Sequence, residues 1–200
     1  MVWVLVAIVV VVVVLLAVAG VLLARKRRSR QLKEGFGPEY EREVQQRGDP
    51  EKAEAALADR EARVHKLTIR DLPATERAAY ADEWAAVQRR FVDDPSMAVN
   101  EADRLVNRVM NARGYPMADF DQRAADISVD HPVVTENYRA AQAISEKAES
   151  GQASTEELRQ SLVHFRALFD DLLAEDDGSD GNGATPGARG KTTDETTARR

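Results

Sequence analysis

The chain has 200 residues, with 28 Lys and Arg against 34 Asp and Glu, no cysteine, and 44% apolar residues. The missing cysteines exclude a disulfide framework, a thiolate metal site and a thiol nucleophile, and the length excludes a large multidomain enzyme. The apolar content is unevenly spread: residues 2–24 are apolar at 22 of 23 positions, Gly20 being the exception, and every charged side chain lies after them.

An uncharged run of 23 residues at ~1.5 Å per residue is ~34 Å long as a helix, which matches a hydrocarbon core of ~30 Å. Its many valines are a modest handicap to a helix in water, but in lipid a helix is the one single-segment solution that satisfies the backbone. The sequence therefore predicts a transmembrane anchor over 1–24, with Trp3 as an interfacial aromatic anchor. Arg25, Lys26, Arg27, Arg28 and Arg30 follow at once, and the positive-inside rule places what comes after them in the cytoplasm. The same five cations are candidates for contact with anionic lipid. A cleaved signal peptide is the competing reading, because Ala17-Val18-Ala19 resembles a cleavage site. It lacks a basic leader, and its apolar run is longer than usual.

Gly35, Gly37 and Pro38 predict an interruption, making 25–38 a basic juxtamembrane stalk and hinge. An α-helical domain is expected over 39–174. Asp49-Pro50, Asp94-Pro95 and Asp130-His131-Pro132 read as helix starts, Ser154 to Glu157 as a capping box, and Gly48, Gly114 and Gly151 as stops. Between these marks Tyr80, Trp84, Val87 and Phe91 keep helical spacing, as do Val99, Ala102, Val106 and Val109, and Leu158, Leu162, Phe165, Phe169 and Leu172. Helices are predicted over 39–47, 50–67, 74–92, 95–112, 117–126, 132–149 and 155–174. The fold class is all-α: an N-terminal transmembrane helix, a small multi-helix bundle and a disordered tail over 175–200, where no large apolar residue remains.

Trp84 and Tyr80 are read as core residues rather than a partner surface. Val163, Leu168 and Leu173 widen the stripe of the last helix toward a bundle core and away from a coiled-coil seam. Arg60 interrupts the row Ala53, Leu57, Val64 and Leu67, so the helix at 50–67 is expected to be the most exposed.

Residues 31–174 carry 19 basic and 28 acidic side chains, a net of −9 that disfavours a nucleic-acid partner. Candidate chemistry is thin. Gly190-Lys191-Thr192 ends like a phosphate-binding loop, but Thr185 stands where its first glycine is required. Asp180, Asn182 and Gly183 fit three positions of a calcium loop, whereas Gly178 and Arg189 stand at its two outer ligand positions. His65, His131 and His164 are too scattered for a metal cage; His131 is read as a cap and His164 as solvent-facing. Asp93-Asp94 and Asp119 with Asp121 are carboxylate pairs at helix starts, where capping explains them. No catalytic residue, cofactor or metal site is assigned.

The run from Trp84 to Pro95 (WAAVQRRFVDDP), with Ala102 to Val106, Arg113 to Pro116, Asp119-Phe120, Leu158 to Gln160 and His164 to Phe169, resembles an uncharacterised bacterial family of membrane or secreted helical proteins. The resemblance covers residues 33–173 and implies no activity, cofactor or catalytic residue. The expectation is a single-pass scaffold or adaptor whose partners are the lipid bilayer and another protein. The oligomeric state is left open. An extracytoplasmic domain for envelope maintenance is an alternative. So is a membrane-tethered hydrolase, which requires Asp119, Asp121, Asp126, Asp130 or His131 to converge.

Overall fold

A computed structural model describes residues 2–174, with the side chains of residues 4–11 left out. The tail over 175–200, including the phosphate-loop and calcium-loop fragments, lies outside the described residues. The described residues form eight helices and no strand: α1 (Val2–Phe36), α2 (Pro38–Arg47), α3 (Pro50–Val64), α4 (Ala74–Asp93), α5 (Pro95–Arg113), α6 (Phe120–Asp130), α7 (Pro132–Glu149) and α8 (Thr155–Leu173). Among these residues no helix is long and apolar enough to cross a membrane.

Local chemistry sets the helix starts. The carboxylates of Asp49, Asp94 and Asp119 accept the backbone N–H of Glu51, Met97 and Gln122, each at 2.9 Å. These bonds satisfy donors that have no partner within the helix. Pro38, Pro50, Pro95 and Pro132 open α2, α3, α5 and α7, where a missing N–H costs nothing. Ser154 and Glu157 form the reciprocal capping box of α8.

That box is pH-sensitive. The backbone N–H of Ser154, and then the Lys147 ammonium, hold the Glu157 carboxyl down at about 2. A depressed carboxyl stabilises the fold above its ordinary value near 4.5, and the contribution is lost as pH falls through about 2. Thermal unfolding followed across this acid window is expected to show a shallower pH slope in Glu157→Gln than in the parent. An unchanged slope would show that the box does not set acid stability.

Gly114 ends α5 with φ +105, and a Cβ there would stand 2.4 Å from the carbonyl oxygen of Thr68. Gly114→Ala therefore combines a disfavoured backbone with a clash against the α3–α4 connection, and is expected to cost ~1–3 kcal/mol in denaturant unfolding. A loss below a few tenths would mean that the connection yields freely.

The larger core gathers α4 to α8. α5 runs through it, burying Ala98, Val99, Ala102, Leu105, Val106, Val109 and Met110. Trp84 of α4 is 2% exposed and stacks on Phe169 of α8 with ring centroids 4.7 Å apart, and the Arg166 guanidinium lies 5.8 Å over its ring. Val87 is buried beside it, with Tyr80 and Phe91 half-buried, as the helical spacing predicts. α8 buries Leu158, Phe165, Leu168, Phe169 and Leu172 in this core, whereas Val163 is exposed and lies off the stripe.

A smaller core joins the end of α1 to α2 and α3. Leu32, Phe36, Tyr40 and Leu57 are buried together, with Val44 and Val129 against them. The stalk expected over 25–38 is thus corrected. Residues 25–36 continue α1, because Leu32 and Phe36 sit four apart on one face and bury it. Gly35 remains helical, and the turn falls at Gly37 alone, whose φ of +48 favours glycine.

Two helix ranges also differ from expectation. α3 stops at Val64, where Lys66 and Leu67 close turns onto Arg63 and Val64. α6 begins only after the Asp119 cap and runs on to Asp130, where Pro132 forces the next start. The expectation that α3 would be the most exposed helix is wrong. Ala53, Leu57, Arg60 and Val64 are all buried, because Arg60 finds acidic partners inside the bundle.

Candidate functional site

The five cations that follow the apolar run lie on the root of α1, where that helix passes from exposed to packed surroundings. Above the root Val12 to Leu16, Val18 and Val21 to Leu23 are exposed apolar residues, and Trp3 is 86% exposed. At the root Arg25, Lys26, Arg27, Arg28 and Arg30 are exposed. Below it Leu32 and Phe36 enter the smaller core. One continuous helix therefore carries an unpartnered apolar face, a basic collar and a buried foot.

The collar is fastened to its neighbours by polar contacts. Ser29 donates to Glu54 at 2.6 Å, and the Tyr40 hydroxyl donates to the same oxygen at 2.9 Å, joining α1, α2 and α3. Arg25 faces Glu51 at 3.7 Å, and Lys33 pairs with Glu41 at 2.7 Å while standing 5.5 Å over the Tyr40 ring. The hydrogen bond and charge of Glu41 raise the Lys33 pKa, and burial raises that of Tyr40. These exposed pairs contribute little individually, and burial of Leu32 and Phe36 decides which face of α1 meets the bundle.

Behind the collar lies a buried ion cluster that the sequence reading missed. Glu39 is 1% exposed and receives a two-pronged bond from Arg139 of α7, both contacts at 3.2 Å. Arg60 of α3 bonds Glu43 at 2.8 Å and Ser128 of α6 at 3.0 Å, and reaches Glu39 at 3.6 Å. Burial alone would raise the Glu43 carboxyl, but Arg47 and Arg60 outweigh it and hold it below its ordinary value. Beside this cluster Arg63 grips Asp126, with contacts of 3.0 and 2.7 Å. The signal available in the sequence was an arginine inside an apolar row, together with Glu39 and Glu43 four apart on the preceding helix.

The acidic residues and histidine proposed for hydrolysis have separate engagements. Asp119 caps α6, and Asp121 lies exposed in its first turn. Asp126 takes Arg63 and Gln122, and Asp130 accepts from the Tyr115 hydroxyl at 2.6 Å. Asp94 caps α5, while Asp93 is the last residue of α4.

His131 is corrected. It stands at the cap position of α7, but its side chain makes no cap bond there. The ring instead meets Asp171 at 2.5 Å through Nδ1 and Arg113 at 3.5 Å through Nε2. Arg113, 1% exposed, also donates to the backbone oxygens of Arg70 and Leu172, and so ties the α3–α4 connection to the end of α8. His164 is likewise not fully solvent-facing: it is half-buried and bonds Asn137 at 2.8 Å. His65 is exposed. Among the described residues no group of three or more His, Asp or Glu is placed to hold a metal ion.

Asp103 is the described carboxylate that burial raises above its ordinary pKa, with Arg123 opposing the shift, and its Oδ1 has no hydrogen-bond partner. It belongs to a polar seam in which Tyr138 donates to Asn107 and Arg123 donates to the Tyr138 hydroxyl, each at 3.2 Å.

No family model matches the chain, and neither the curated proteins nor the solved structures include a match.

Proposed function

We propose that the chain is a single-pass membrane protein whose helical bundle acts as a scaffold or adaptor, held at the cytoplasmic face and binding another protein. The observation that carries this reading is α1 itself, a 35-residue helix whose described apolar residues from Val12 to Leu23 are exposed and whose C-terminal part is packed into the smaller core. A large uncovered apolar surface calls for a partner phase or partner protein. The 23-residue uncharged run has the length a bilayer requires. The collar of Arg25, Lys26, Arg27, Arg28 and Arg30 supports the cytoplasmic orientation through the positive-inside rule. Among the candidate carboxylates, Asp94 and Asp119 cap helices and Asp126 pairs with Arg63.

A reporter active only outside the cytoplasm, fused after residue 174 of the full chain, is expected to be silent, and the protein to stay with membranes through alkaline extraction. An active reporter would move the bundle to the other side and favour the envelope-maintenance reading. Release by alkali would remove the anchor. Cross-linking in cells from the bundle surface is expected to recover one protein reproducibly; only background products would sink the adaptor role.

A further inference from the structure

The chain runs up α2 and down α3 beside the root of α1, and this brings a second set of charges to the level where the apolar run ends. Arg25 meets Glu51 and Ser29 meets Glu54, so α1 and α3 run in the same direction and the first turn of α3 lies level with the collar. Between the two helices is a cavity of about 600 Å³, open to solvent. On the α1 side it is lined by Arg25, Lys26 and Arg28, and on the α3 side by Glu51, Glu54 and Asp59. Glu54 is engaged by the Ser29 and Tyr40 hydroxyls, whereas Lys26, Arg28 and Asp59 make no ion pair among the described residues. Arg30 does not line this cavity, and Arg27 lines a second one facing Glu61 and Val129, with Arg28 at the edge of both.

We infer that this groove binds the zwitterionic phosphoethanolamine headgroup of a membrane lipid, with the phosphodiester on Lys26 and Arg28 and the ammonium on Asp59. The inference rests on the anchor reading for the groove's place at the bilayer surface.

Charge arrangement decides the ligand class. Three cations face three carboxylates across the groove, so it has no formal net charge, but its two walls have opposite sign. A purely anionic headgroup would pair with one wall and be repelled by the other. A phosphodiester joined to a primary ammonium by two carbons pairs with both. The ammonium offers three N–H donors to carboxylate acceptors, and a quaternary choline has none. The remaining collar cations, Arg27 and Arg30, are left for general attraction to an anionic surface.

The test uses the full chain in nanodiscs containing phosphatidylcholine, phosphatidylethanolamine and phosphatidylglycerol in equal parts, with the lipids retained by the protein measured by native mass spectrometry. Phosphatidylethanolamine is expected to be enriched about fivefold over phosphatidylcholine, the ratio set by roughly one additional ionic contact. Asp59 is exposed and makes no ion pair among the described residues, so Asp59→Asn leaves the fold intact and is expected to abolish that enrichment in favour of phosphatidylglycerol. No enrichment in the parent, or the same enrichment in the variant, overturns the proposal. A second arm titrates soluble glycerophosphoethanolamine into the full chain in detergent, followed by the amide resonances of residues 25–29 and 51–59. Failure of the chain to enter discs sinks the anchor reading alone. A saturable response in the second arm then identifies a free phosphodiester as the source of the ligand, and no response sinks the groove.

Discussion

Replacing Arg60 with methionine is expected to lower the unfolding free energy by ~3–5 kcal/mol, the usual effect of removing one partner from a buried ion pair. Arg60 is 8% exposed and touches Glu43 and Glu39 of α2 and Ser128 of α6. Methionine fills much of the same space, so the loss comes from the carboxylates it leaves behind. Arg139 still neutralises Glu39. Glu43, 6% exposed, retains only Arg47, a half-exposed partner. The double variant Arg60→Met with Glu43→Leu is expected to recover a large part of the loss, because a buried pair exchanged for apolar side chains is often close to neutral. Equilibrium denaturation of the four members of this cycle measures the coupling. If the double variant is no more stable than Arg60→Met, the uncompensated carboxylate is not the cause.

Trp84→Ala is expected to cost ~3–5 kcal/mol through lost burial and the cavity left behind. The indole is 2% exposed, stacks on Phe169 and carries the Arg166 side chain over its outer face. It is the point at which α4 is held to α8, although α4 makes its main packing surface with α5. Loss of the ring should therefore loosen α4 from α8 while leaving the smaller core around Leu32, Phe36 and Leu57 in place. Trp84→Phe should cost less, since a ring remains to stack on Phe169. The indole N–H has no hydrogen-bond partner, so its removal forfeits no bond. Hydrogen exchange that slows or stays unchanged across α4 in Trp84→Ala would contradict this account.

Much of the architecture was legible in the chain because it depends on neighbours in sequence. Asp-Pro pairs and the Ser154 to Glu157 box satisfy backbone groups within one turn, so they mark helix starts wherever the helix is later placed. Helical spacing of Tyr80, Trp84, Val87 and Phe91 likewise needs no knowledge of the partner helix to predict a buried face. The limits of that reading appear where the partner is distant. Arg60 looks like a defect in an apolar row until α2 brings Glu43 against it, a residue 17 positions away. His131 looks like a cap until α8 brings Asp171 to its ring, 40 positions away. The interruption expected at Gly35 to Pro38 is present at Gly37, but the free stalk expected before it failed for the same reason: Leu32 and Phe36 had partners in α2 and α3 that spacing within α1 alone did not reveal.

The sequence by itself determined the all-α class, the helix starts, the uncharged run of residues 2–24 and the basic collar after it, because each follows from local backbone chemistry or from composition. The tertiary structure alone decided that the root of α1 is packed rather than a free stalk, that Arg60 is inside, and that three cations face three carboxylates across one groove. Burial and charge pairing between helices depend on where the chain returns in space, and a one-dimensional pattern does not carry that information.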